Sequence, residues 1–186
     1  MNSICSIFDG MHDMSEGFTH LDRSGSARMV DVSAKDVTVR EATASGQVTV
    51  SPEVIELLRG PGVPKGDALA VARIAGIQAA KRTPELVPLC HPLAIHGVTV
   101  ELEVMDRAVA ISATVRTADR TGVEMEALTC VAVAALALID MVKAVDPGAH
   151  AERAVAAPVG SHHSPGGPRC PAHLWRHGAS PACGSP

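Results

Sequence analysis

Residues 128–139 are apolar nearly all round on any helix they could form, and much of the stretch is alanine. A helix of that kind must be buried on most of its sides, and its small residues let a sheet or a second helix come close. The apolar run carried by Val131 to Ile139 is far shorter than the roughly 20 residues a membrane span needs. The chain must therefore wrap a layered fold around this helix. Aromatic residues cannot fill the core, because only Phe8, Phe18 and Trp175 occur, all outside the middle of the chain. Val, Ala, Leu and Ile must do so. The same scarcity removes the usual aromatic platform for stacking single-stranded nucleic acid.

The elements around that helix can be read in turn. Met29–Val32 and Val37–Arg40 alternate weakly and read as extended, and Gln47–Val50 is a better strand. Ser51-Pro52-Glu53 reads as N-cap, first-turn proline and acidic first turn of a short helix ending at Gly60. Asp67 can cap a second helix from Ala68 to about Arg82, with Lys81 and Arg82 favourable in its last turn and Pro84 stopping it. Val98, Val100, Leu102 and Val104 alternate with polar neighbours, Asp106-Arg107 turns the chain, and Val109, Ile111, Ala113 and Val115 alternate again. Thr121 and Glu124 have the capping-box spacing ahead of the apolar helix, which can run to about Val145. The pattern implies α+β: a mostly antiparallel sheet with helices on one face.

With 186 residues the chain reads as one domain with appendages. Residues 1–17 read as a flexible leader and 18–148 as the body. In 149–186 prolines, glycines and five of the nine histidines crowd together without a period, which reads as a disordered tail. The formal charge, 16 − 20 = −4, offers nucleic acid no general basic surface. The five cysteines, Cys5, Cys90, Cys130, Cys170 and Cys183, form no disulfide framework and suit a reducing compartment. The N-terminus lacks a basic start and a long apolar stretch, so it is no secretory signal. A soluble, cytoplasmic protein is expected.

Three polar clusters interrupt the apolar patterning. Lys65-Gly66-Asp67 follows a Gly/Pro loop and opens a helix, where a lysine beside free N–H groups suits phosphate; the plainer reading is a surface lysine near a cap. In Leu89-Cys90-His91-Pro92, His91 is either an acid–base group or a turn histidine bonded to backbone. Nothing beside Cys90 would lower its pKa, so it reads as a small buried residue. In the third, Glu124-Met125-Glu126, Glu124 has a bland capping role and Glu126 does not. Asp140 and Lys143, further along the helix, could simply pair, yet Asp140 interrupts an apolar face. Glu126 and Asp140 are 14 residues apart, roughly 21 Å on a continuous helix. Both could serve one small substrate only if two subunits share a site, as an antiparallel pairing of this helix about a two-fold axis would allow.

Six blocks stand in order: 29–35, 65–67, 72–83, 88–93, 121–129 and 140–145. Together they resemble the molybdenum cofactor biosynthesis protein C family over residues 18 to about 148. The resemblance implies a ferredoxin-like α+β sandwich. It also implies conversion of a cyclised GTP, 3′,8-cyclo-7,8-dihydro-GTP, to cyclic pyranopterin monophosphate with release of pyrophosphate. The substrate would come from a radical GTP cyclase, the pathway neighbour. No redox cofactor is implied, and help from Mg²⁺ in pyrophosphate departure is left open. By resemblance Leu89, Cys90, His91, Met125 and Glu126 form the substrate site, and Asp140 is the catalytic acid or base. Lys65 and Lys143 hold phosphates, His91 joins the catalytic set, and Lys35, Arg40 and Glu124 match further polar positions. The implied assembly is a hexamer, a trimer of dimers with sites at dimer interfaces. No nucleic-acid or membrane partner is expected.

Past Gly148 the resemblance breaks. The family supplies another strand and a Gly-Gly-Lys-Ser-Gly type segment, whereas here Gly166-Gly167 precedes Pro168. Either a frameshift near residues 149–157 produced this end, or one strand and one cation are missing and the sheet has an open edge. A catalytically impaired paralogue is the alternative function. A third reading is zinc binding by Cys170, His173, His177 and Cys183, though little around them could fold about a metal.

Overall fold

A computed structural model describes residues 20–22 and 24–156, with the main chain alone at Arg153. The leader expected at 1–17 and the Cys170–Cys183 spacing lie outside the described residues. Four strands form one sheet: β1 (Thr38–Thr49), β2 (Ile95–Val104), β3 (Ala108–Asp119) and β4 (His150–Ala156). Helices α1 (Pro52–Arg59), α2 (Ala68–Ala80) and the short α3 (Thr83–Leu86) connect β1 to β2, and α4 (Glu124–Val142) connects β3 to β4. The sheet order is β2-β3-β1-β4 with every neighbour antiparallel. This is the ferredoxin-like α+β sandwich.

The hairpin behaves as its alternation demands. Val109, Ile111, Ala113, Val115 and Thr117 of β3 are buried, while their neighbours face the other side. β1 lies beside β3 in unbroken register from Thr38↔Asp119 to Thr49↔Ala108, so Ala42, Ala44 and Val48 join the same core face. α4 closes that face with Ala127, Cys130, Val131, Ala134, Leu138 and Val142, all at most 1 % exposed. The opposite face is polar: the hydroxyls of Thr43 and Thr114 are 2.8 Å apart, and Glu41 pairs with Arg116 at 2.9 Å. α4 is long and apolar enough to cross a membrane by length and composition alone. Here it is the core helix that the alanine-rich stretch requires.

Several local expectations are corrected. β1 is one continuous strand rather than two short ones, because small residues at Ala42 and Ala44 continue the buried face between the stronger signals. Met29–Val32 is not a strand and runs as a loop. α2 stops at Ala80, and Pro84, rather than merely stopping it, opens α3. The capping box is absent: α4 starts at Glu124, and its N-cap Val123 makes no side-chain bond. The strand thought missing after Gly148 is present as β4, which covers the outer edge of β1 with one register shift between Ser45 and Gln47.

Two caps form as read. Ser51 Oγ accepts from Val54 N at 3.4 Å, and Asp67 Oδ1 accepts from Ala70 N at 2.9 Å. Asp146 then ties the end of the α4 region to α1, accepting from Ser51 N at 2.6 Å and from Gly148 N at 3.0 Å. α2 lies close on α4 at Gly76, where an added Cβ would meet the Cys130 carbonyl oxygen at 2.9 Å.

Candidate active site

The loop between α1 and α2 can turn back on itself because Gly62 and Gly66 adopt φ of 90° and 102°, a region side chains disfavour. The turn is closed by Gly66 N donating to Val63 O at 2.9 Å. It delivers Lys65 to the C-terminal end of α4. Lys65 Nζ donates to the Asp140 carbonyl at 2.6 Å and to Asp140 Oδ2 at 3.1 Å. Lys143 Nζ reaches the other carboxylate oxygen at 2.7 Å. Two ammonium groups thus share one carboxylate, leaving a net positive charge. The bond from Lys143, then that from Lys65, holds the Asp140 carboxyl below its ordinary value. The three side chains are about half exposed, so an incoming anion can reach them.

The opposite end of α4 has a different character. Glu126 is only 3 % exposed, and burial raises its carboxyl pKa, with the charge of Glu124 adding to the rise. Cys90 is half-buried, and its thiol is raised by burial and then by the Glu126 carboxylate, so it is no thiolate nucleophile at neutral pH. Leu89 and Met125 present exposed apolar side chains. Glu124 folds back against Gly122 instead of forming the capping box. Arg40 Nε is buried without a hydrogen-bond partner among the described residues.

His91 Nε2 lies 2.7 Å from the Val30 carbonyl. A carbonyl only accepts, so Nε2 carries the proton in this contact. Lys35 is exposed, and its carbonyl accepts from Arg120 Nε at 2.8 Å. Between these contacts lies a hollow of about 450 Å³ lined by Val30, Asp31, His91, Asp119, Arg120 and Thr121. Sequence reading did not single out the His91–Val30 and Arg120–Lys35 contacts. The contacts go to main-chain carbonyls, which leave no trace in residue type.

One chain therefore brings Lys65, Asp140 and Lys143 together, and separately places Cys90 near Glu126. It does not bring Asp140 to Glu126, because α4 is continuous between them and spans about 21 Å over that interval. Among the described residues no group of three or more His, Cys, Asp or Glu side chains is placed to hold a metal ion.

Residues 29–156 match the model of the MoaC family, from the loop beside His91 to the end of β4. The chain belongs to the MoaC family. Among its relatives, cyclic pyranopterin monophosphate synthase of Streptomyces coelicolor is 69% identical over 137 residues, 74% of this chain and 81% of the relative. The enzyme of the same name from Streptomyces griseus is 75% identical over 131 residues, 70% of this chain and 74% of the relative. Cyclic pyranopterin monophosphate synthase 2 of Mycobacterium tuberculosis is 56% identical over 141 residues, 75% of this chain and 84% of the relative. The MoaC match spans both ends of α4 and includes β4, the strand that composition had assigned to the tail.

Proposed function

We propose that this chain is a lyase that forms cyclic pyranopterin monophosphate in molybdenum cofactor biosynthesis, acting on 3′,8-cyclo-7,8-dihydro-GTP and releasing pyrophosphate. The observation that carries the reading is the cluster of Lys65 and Lys143 on Asp140, in a chain whose relatives bear that enzyme name. Ring opening and reclosure need acids and bases, and the leaving pyrophosphate needs cations. Lys65 and Lys143 supply the cations. Phosphate oxygens compete for the same ammonium groups that lower the Asp140 pKa. As they take those bonds, Asp140 regains proton affinity and becomes a stronger base at the moment substrate is seated. Glu126 is a buried acid suited to donate a proton, and Arg40, Lys35, Leu89, Cys90, His91, Glu124 and Met125 contribute to binding. No lysine occurs in 149–186, so these cations carry the triphosphate without the one the family places there.

The complete site is assembled between two copies of the chain. α4 presents an outward stripe of Met125, Thr129, Ala132, Leu136, Asp140 and Lys143, with Met125 40 % and Leu136 64 % exposed. Antiparallel pairing of two such helices, centred between Ala132 and Val133, sets Met125 of one opposite Asp140 of the other and lets the backbones approach at alanine. Three such dimers would make the hexamer. A reducing cytoplasm is the compartment we assign, since Cys90 and Cys130 are both free thiols.

Turnover tests the reading. The purified full chain is incubated with the cyclised GTP made by a radical GTP cyclase, and pterin product and pyrophosphate are quantified. Equal amounts of both are expected, with Asp140→Asn lowering the rate by roughly 10²–10⁴-fold, the usual weight of an acid–base group. A folded oligomer that releases neither would point to the impaired paralogue.

A further inference from the structure

The segment from Met29 to Lys35 has no regular secondary structure, yet it is pinned to the body at two separate places. Within it, Asp31 Oδ1 accepts from Ser33 N at 2.8 Å, and Lys35 N donates to Val32 O at 3.0 Å, which makes a compact turn ending at Lys35. Outside it, the first clasp is His91 on the Val30 carbonyl at 2.7 Å. The second is Arg120 Nε on the Lys35 carbonyl at 2.8 Å. His91 belongs to the loop before β2 and Arg120 to the turn between β3 and α4. The segment, these two anchors and their neighbours line the open hollow of about 450 Å³. The Arg120 clasp falls on Lys35 itself, the residue through which this segment would touch substrate.

We propose that Arg120 is a positioning residue: by holding the Lys35 carbonyl it fixes the strap 29–35 across the His91 hollow and aims the Lys35 ammonium at the anionic part of the substrate. The assignment rests on the reading of this site as one for a GTP-derived triphosphate. A donated hydrogen bond to a main-chain carbonyl needs only an N–H at the right place, so Lys at position 120 can replace Arg in part, and an apolar side chain cannot. His91 holds the same strap from its other end, so losing one clasp loosens the strap without freeing it.

Two readouts on the full chain keep the strap and the substrate reading apart. Amide hydrogen exchange of residues 29–35 in the absence of any ligand reports the clasp. The KM and kcat for the cyclised GTP report the aim of Lys35. Arg120→Met is expected to speed exchange in 29–35 while leaving that of α4 unchanged. It should raise KM roughly tenfold, about the weight of one hydrogen bond made by a charged group, with a smaller effect on kcat. Arg120→Lys should recover most of both effects. Lys35→Met should raise KM without altering exchange, and adding Arg120→Met to it should raise KM little further. Unchanged exchange in Arg120→Met overturns the clasp whatever the protein's activity. Faster exchange with KM unchanged, or fully additive KM effects in the double variant, overturns the positioning role. If no variant and no wild-type protein turns over the cyclised GTP, while exchange behaves as expected, the substrate reading fails and the clasp stands.

Discussion

Glu126 is buried with its proton affinity raised by desolvation and by the charge of Glu124, and that has a measurable cost. Its folded pKa lies above its unfolded value, so the native state binds the extra proton in the interval between the two. Stability is therefore greatest below the ordinary 4.5 and declines as pH rises from there through the raised folded value. Glu126→Gln removes the titration and should stabilise the protein at neutral pH, by roughly 2–4 °C in Tm for each kcal/mol relieved in a domain of this size. The same substitution should depress turnover. Calorimetry from pH 4 to 8, on wild type and variant together, checks the sign: curves that stay parallel would show that Glu126 does not titrate as burial dictates. Asp140 behaves oppositely. Its two ammonium partners keep it ionised until pH falls below its ordinary 3.8, so its ion pairs persist throughout that range. The polar interruptions of an apolar pattern made these residues legible in the sequence. The clasps on Val30 and Lys35 were not, because any residue offers the same carbonyl.

The α2–α4 contact sets the geometry of the helical layer. Ala in place of Gly76 gains about 1 kcal/mol of helix propensity in isolation. Its Cβ, however, would approach the Cys130 carbonyl oxygen to 2.9 Å and the Ala134 Cβ to 3.1 Å. Backbone cannot yield as a flexible side chain can, and overpacking of this kind costs about 1–3 kcal/mol. Gly76→Ala should accordingly lower Tm by a few degrees, and a Tm at or above wild type would show that the helices separate freely. The hairpin β2–β3 was readable because large aliphatic residues alternate with polar ones. Half of β1 was not, since its buried positions Ala42 and Ala44 are barely more apolar than their neighbours. β4 was hidden for the same reason, with three alanines in seven residues and its pairing decided by the free edge of β1. The start of α4 misled because capping-box spacing fixes only residue types, while Glu124 turned towards Gly122.

At the scale of the whole molecule, the chain places its candidate groups at the two ends of one continuous helix, about 21 Å apart. We propose a functional unit of two copies, a reading supported by that distance and by the outward stripe between the ends. The measurement that tests this most directly is complementation between Glu126→Gln and Asp140→Asn, each expected to turn over slowly as a pure protein. The two are mixed, dissociated, reassembled and assayed for cyclic pyranopterin monophosphate. Random pairing makes half the dimers mixed, and each mixed dimer rebuilds one intact site of its two, so about a quarter of wild-type activity should return. Activity that stays at the level of the separate variants, in a mixture shown by mass spectrometry to contain mixed oligomers, would contradict a shared site.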